Sequence, residues 1–146
     1  MKYFLCAILF SFSLAAVSED HDHDHEVSEQ VGPDKGITAA DEHEGIKLSS
    51  EAEKNFEIKK IKVSDRKAVE IPKSAVVTAG TEVNLYRVRE GFFKRVDFDV
   101  IRKNSASLIV KSADLKAGDE VVTAGVQFVR FAELAAFGGE IEGHSH

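Results

Sequence analysis

Histidine and acidic residues alternate in one short segment near the start of the chain, in the order EDHDHDHE. Three more histidines lie elsewhere, one flanked by glutamates and two at the C-terminal end. Imidazole is a ligand for zinc, copper and nickel, and carboxylates add negative charge and oxygen donors. The pattern predicts a site for divalent transition-metal ions, with the candidate ligands His21, His23, His25, His43, His144, His146, Asp20, Asp22 and Asp24.

The alternative is a solvated acidic segment whose histidines are incidental. Residues 46–137 contain neither histidine nor cysteine and have no glycine-rich phosphate loop, so we expect the protein not to be an enzyme. Residues 46–146 hold seventeen Lys or Arg against fifteen Asp or Glu, a net charge of +2. This small, dispersed charge argues against nucleic acid as a partner.

The N-terminus has the pattern of a secretory signal peptide. Lys2 precedes the apolar run YFLCAILFSFSLAA, and small residues at 16–18 form a signal-peptidase site. We expect export to the periplasm with removal of residues 1–18, which leaves no cysteine, no methionine and no membrane span. A buried N-terminal helix or strand is the alternative. Cleavage after Ser18 would place His21 third in the chain, where planar nitrogen ligation selects copper(II) or nickel(II).

The acidity of the protein is concentrated in residues 19–45, which hold ten Asp or Glu against one Lys. This segment has few large apolar residues and includes Gly32-Pro33, so it cannot bury enough surface to offset chain entropy. We predict that residues 19–45 are disordered, that residues 46–137 form one domain, and that residues 138–146 are a flexible, histidine-containing end.

Residues 46–137 are predicted to be mainly β, a small antiparallel barrel or sandwich with one or two short helices. Ser50 and Glu53 have capping-box spacing, which favours a helix over about 50–56. Glu90-Gly91 between two apolar runs predicts a β-hairpin. Further strands are predicted over 58–63, 68–71, 83–88, 93–101, 105–111 and 120–123.

The alternation of apolar and polar residues along these strands predicts which side chains form the core. The predicted core residues are Val96, Phe98, Val100, Ala106, Leu108, Val110, Val121 and Val122. After Gly125, a helix is predicted with one apolar face formed by Phe128, Phe131, Ala132 and Ala135. An edge strand is the alternative for this last element.

Two motifs carry a resemblance to a known family. The segment IPKSAVV at 71–77 precedes a glycine turn and a hairpin, and DLKAGDEVVTAG at 114–125 follows. Together they resemble the C-terminal part of periplasmic adaptor proteins, also called membrane fusion proteins, of RND-type efflux pumps. Residues 45–59 also resemble a segment of the heavy-metal-exporting branch. The resemblance implies the membrane-proximal β domain of that family.

The resemblance covers about residues 45–130 and is incomplete. Only about residues 64–69 lie where a full adaptor has a lipoyl domain, a long helical hairpin and much of a barrel. The resemblance therefore implies a free-standing module that docks on an inner-membrane RND metal pump or on a full-length adaptor. A periplasmic metal buffer or chaperone is one alternative, and a truncated, non-metal interaction domain is another.

The resemblance to the heavy-metal branch implies zinc, cobalt, nickel or cadmium as the bound cargo. Copper(I) prefers sulfur ligands, and the exported chain would contain none. Copper(II) stays open, because imidazole nitrogens bind it well.

Overall fold

The computed structural model describes residues 29–64 and 68–137. These residues form a small β sandwich of two antiparallel sheets, with one longer helix against the larger sheet. This confirms the mainly β fold predicted from the sequence. The strands are β1 Ile37–Asp41, β2 Gly45–Leu48, β3 Lys59–Lys62, β4 Val69–Pro72, β5 Val77–Ala79, β6 Glu82–Arg89, β7 Phe92–Asp97, β8 Asp99–Lys103, β9 Ser107–Lys111 and β10 Glu120–Ala124. The helices are α1 Ser50–Asn55 and α2 Val126–Phe137.

The larger sheet has the strand order β1-β2-β7-β6-β10-β3, and β5 also pairs with β6. Its longest pairing is the β6–β7 hairpin, which the sequence predicted at Glu90-Gly91. Both turn residues have positive φ, 52° for Glu90 and 82° for Gly91. Positive φ at both central positions matches the right-handed twist of the flanking strands, so the turn holds the hairpin in register.

The smaller sheet has the order β4-β9-β8 and covers one face of the larger sheet. The core between them contains Leu85, Val96 and Val121 from the larger sheet, packed with Ile71 and Val110 from the smaller one. The opposite face of the larger sheet packs against α2, in a second core. The larger sheet therefore lies between the smaller sheet and α2.

The folded part begins earlier than the sequence predicted. Residues 37–45 were expected to belong to the disordered segment, but Ile37–Asp41 forms β1 and pairs with β2. Ile37 is buried in the core beside α2, and Val31 packs against that core. The few apolar residues of this acidic segment show no strand pattern, so its composition predicted disorder. The segment is ordered because it pairs with β2, a contact that composition does not reveal. Residues 1–28, with the predicted signal peptide, lie outside the described residues, as do residues 138–146.

The start of α1 differs by one residue from the predicted capping box. Ser49, not Ser50, is the N-cap, and its hydroxyl accepts a hydrogen bond from the Ala52 N–H at 3.1 Å. Two consecutive serines offer the same cap chemistry, and burial of Ala52 against the core selects the register.

Most of the predicted core is buried, and three positions are not. Val96, Leu108, Val110, Val121 and Val122 are buried. Phe98 is only partly buried, while Val100 and Ala106 are exposed. The polypeptide leaves the larger sheet at Phe98 to become β8 of the smaller sheet, and this change of sheet interrupts the alternation, whereas Ala106 lies in the turn between β8 and β9.

The helix α2 is present as predicted, but the apolar face predicted for it is not the face that packs against the sheet. Val126, Val129, Glu133 and Ala136 are its buried residues. Phe128 and Phe131 are 37% and 64% exposed. Among the described residues, no helix has the length and apolar character needed to cross a membrane.

Candidate functional site

His43 is the one predicted metal ligand among the described residues. It lies in the turn between β1 and β2 and is exposed. The Asp41 carboxylate accepts hydrogen bonds from the backbone N–H groups of His43 and Glu44, each at 2.8 Å. These contacts, with Glu44 contributing most, hold the pKa of Asp41 below its usual value. The Lys94 ammonium donates to the His43 carbonyl, so the turn is attached to β7 while its imidazole faces solvent.

The remaining predicted ligands lie outside the described residues. They are His21, His23, His25, His144, His146, Asp20, Asp22 and Asp24. Within residues 29–64 and 68–137, no group of three or more His, Cys, Asp or Glu side chains is placed to hold a metal ion. His43 and its acidic neighbours Asp41, Glu42 and Glu44 therefore do not form a metal site among the described residues.

A second polar cluster lies at the turn between Lys116 and Asp119, just before β10. Gly118 has a φ of 95°, and Asp119 follows it at the entrance to β10. Arg89 donates two hydrogen bonds to the Asp119 carboxylate, from Nε and Nη2, both at 2.8 Å. The Lys116 N–H donates to the same carboxylate at 2.7 Å.

These contacts make the turn an electrostatically stabilised part of the fold. Burial by itself would raise the pKa of Asp119, but the hydrogen bonds from Arg89 and the Lys116 N–H outweigh it, and the pKa lies below its ordinary value. The same pairing raises the pKa of Arg89. A bidentate pair of this kind fixes the direction of both side chains. The turn therefore leads directly into β10, which lies between β6 and β3 in the larger sheet.

Arg87 is a buried cation beside this cluster. Its side chain is 5% exposed, and within the described part of the chain it forms a 3.5 Å ion pair with Glu44, which is 53% exposed. Burial, followed by the nearby Arg89 charge, lowers the pKa of Arg87. A surface cavity of about 450 Å³ lies near Arg89, and its charged lining is balanced between Lys60, Lys62, Arg89, Glu90, Asp119 and Glu120. A balanced lining gives no preference for anions or cations.

The structure also contains a buried ionic cluster that the sequence did not indicate. Glu133 of α2 accepts hydrogen bonds from Tyr86 Oη at 2.6 Å, Arg95 Nε at 2.9 Å and Arg130 Nη1 at 2.5 Å. Glu133 is 7% exposed and Tyr86 is fully buried. Burial, and then the Glu133 carboxylate, raise the pKa of the Tyr86 phenol above its usual value. The contacts join α2 to β6 and β7, so the cluster attaches the helix to the sheet.

One sequence pattern could have predicted this cluster. Glu133 lies seven residues after Val126 and four after Val129, which places it on the same helical face as these valines. Arg95 lies directly opposite Tyr86 in the hairpin register, so the two side chains share a face. A buried acid on the apolar stripe of a helix requires a partner, and a basic residue on the facing strand is the natural candidate.

The aromatic face of α2 forms an exposed apolar patch with the end of α1. Phe56 and Phe128 stack with ring centroids 4.9 Å apart and an interplanar angle of 10°. Phe131 extends the patch and is its most exposed member at 64%. Phe128 and Phe131 belong to the apolar helical face that the sequence predicted.

The two motifs of the adaptor resemblance lie in strands and turns of the β domain. Pro72 ends β4, Gly80 has a φ of 60° in the turn before β6, and Val121 and Val122 of β10 are fully buried. These features describe a stable β domain and do not assign an activity. Comparison of the chain with protein-family models, with curated proteins and with solved structures gives no match.

Proposed function

We propose that this chain is an exported, non-enzymatic accessory protein of a heavy-metal RND efflux system. Its histidine- and aspartate-rich segments bind divalent transition-metal ions as cargo, and its β domain docks on the inner-membrane pump or on a full-length adaptor. The observation that carries the proposal is the separation of the two parts. Five of the six histidines lie outside residues 29–64 and 68–137, and the sixth, His43, is exposed on the turn between β1 and β2.

This separation has a physical consequence for metal binding. A domain whose cores are apolar, and whose buried acids Glu133 and Asp119 are paired with arginines, does not need an ion to fold. The metal would then be taken up and released without unfolding the domain, as delivery to a partner requires. His43 supports this arrangement, since it is exposed on a turn that the body of the fold holds in place.

Calorimetric titration of the exported protein with zinc, cobalt, nickel, cadmium and copper(II) tests the metal-binding part. Replacing His21, His23 and His25 by Ala should abolish or strongly weaken binding, because imidazole supplies the nitrogen ligands. Replacing Asp20, Asp22 and Asp24 by Asn is the matched control. It removes three charges from the same segment but leaves the imidazoles, so the loss should be smaller. Unchanged binding after the histidine replacements would refute the proposal.

The docking part is tested separately in cells. Deleting the gene should increase sensitivity to the bound metal in a strain that has the pump, and should have no further effect in a strain without it. An equal increase in both strains would instead identify a free-standing metal buffer. No increase in either strain, together with no metal binding in the titration, would identify a non-metal interaction domain.

A further inference from the structure

The strand β8 is an open edge of the smaller sheet. It pairs with β9 on one side and has no strand on the other among the described residues. Its residues are all exposed, including the aliphatic side chains Val100 at 40% and Ile101 at 54%. An exposed edge strand with apolar side chains presents unpaired backbone groups, which can pair with another strand.

The other edge strands are β1, β3, β4 and β5, and they are protected in ways that β8 is not; β5 has only three residues. The edge strand β3 has the sequence KKIK, so two copies would repel each other. The edge strand β4 ends in Pro72, which has no N–H to donate. The edge strand β1 is partly covered by the bridge between Val31 and Ile37. Only β8, among the described edges, combines exposed aliphatic residues with charges of both signs.

The sequence of β8, DVIRK, is complementary to itself in the antiparallel direction. Pairing two copies about Ile101 places Asp99 opposite Lys103 of the second copy, and Val100 opposite Arg102. Ile101 meets its own symmetry mate. Opposite charges and apolar pairs at directly opposed positions stabilise antiparallel strands. We propose that β8 is a homodimer interface, in which two copies of this chain pair through β8 about a two-fold axis at Ile101.

Features of β8 within one chain agree with this pairing. Asp99 contacts Lys111 of β9 at 3.6 Å, but its side chain is 78% exposed and stays open to a second partner. Ile101 lies in a bulge between the β8–β9 pairs Val100↔Val110 and Arg102↔Ile109, so it has no partner in β9. Bulges and basic residues also protect edge strands from indiscriminate association. Within β8, Lys103 faces an acid of the second copy only in the register centred on Ile101, and this pairing uses the β8 edge of both copies, which favours a dimer over open-ended growth.

The dimer is expected to be weak. A strand of five residues buries less than the roughly 800 Å² per partner of a standard stable interface. Sedimentation equilibrium of the exported protein, from about 10 µM to about 1 mM, covers the affinities expected of such an interface. The wild-type protein should change from monomer to dimer within this range, and a monomer throughout would overturn the proposal.

Charge exchange across the two-fold axis distinguishes this register from any other. Asp99→Lys alone and Lys103→Asp alone each oppose like charges at two symmetric positions. Each opposed pair should raise the dimer dissociation constant roughly 2- to 5-fold, and the two together roughly 4- to 25-fold. An equimolar mixture of the two variants opposes unlike charges again and should recover a heterodimer. A mixture that associates no better than either variant alone would overturn the proposal.

The apolar contact is tested with a matched pair of variants. Ile101→Lys places like charges at the axis and should give a monomer. Val83→Lys changes another exposed strand residue, 49% exposed, and should leave the dimer intact. All substituted positions are exposed, so the circular dichroism spectrum and melting temperature should stay close to those of the wild type. A dimer that survives Ile101→Lys but is lost in Phe131→Asp would assign association to the aromatic patch and refute the β8 interface.

Discussion

Replacement of Glu133 by Ala tests whether the buried ionic cluster attaches α2 to the sheet. The change leaves Arg95 with a side chain that is 7% exposed and removes the acceptor of the buried Tyr86 hydroxyl. Arg130, at 19% exposure, can turn towards solvent, and Arg95 keeps a 3.4 Å contact with Glu82. Breaking a buried ion pair from one side costs about 3–5 kcal/mol, and these remaining partners favour the lower end of that range.

Urea unfolding followed by far-ultraviolet circular dichroism measures this cost. A loss of about 3 kcal/mol should lower the melting temperature of a domain of this size by about 12 °C or more. Tyr86→Phe removes one hydrogen bond and leaves both arginines paired, so it should cost about 1 kcal/mol. Gln127→Ala changes an exposed position on the same helix and should stay within about 0.5 kcal/mol of wild type. If Glu133→Ala behaves like Gln127→Ala at an unchanged urea dependence, the assignment of the cluster as an anchor is refuted.

Three further outcomes are expected. Gly45→Ala should destabilise the domain by roughly 1–3 kcal/mol more than Gly80→Ala in the same urea assay. Both substitutions strain the backbone at positive φ, but only the one at Gly45 adds a steric clash. Both glycines have positive φ, but a Cβ at Gly45 would lie 2.1 Å from a carbonyl oxygen of β7, whereas Gly80 faces open space; equal losses would contradict the packing of β2 on β7. Because pairing with Arg89 lowers the folded-state pKa of Asp119, its contribution to stability is present above the unfolded pKa of about 3.9 and is lost as pH falls through the lower folded value. Acid unfolding should therefore depend less on pH in Asp119→Asn than in wild type, and identical profiles would exclude this residue as a cause. Zinc binding at the proposed histidine site should weaken steeply below about pH 6, because protons compete for imidazoles; titrations at two pH values with equal affinity would rule out histidine ligands.

The sequence predicted β3, β4, β9, β10 and the β6–β7 hairpin because their determinants are local, but it missed β1, β2 and β5 and joined β7 to β8 as one strand. Glu90-Gly91 adopts the turn that its residue types favour, and the alternation around Val96 and Leu108 identified buried positions correctly. The candidate metal ligands could also be proposed from the sequence, since histidine and carboxylate chemistry depends on residue type. Their grouping stays a prediction, because all but His43 lie outside the described residues.

The sequence by itself determined the mainly β character, the turns and the separation of histidines from the core, because backbone preferences and composition act over a few residues. Tertiary structure decided which face of α2 is buried. Two apolar stripes compete on that helix, one with Phe128 and Phe131 and one with Val126, Val129 and Glu133. Local periodicity favours the aromatic stripe, because it contains no charge. The sheet presents Tyr86 and Arg95 to the other stripe, and their hydrogen bonds to Glu133 make burial of an acid possible and leave the phenylalanines exposed.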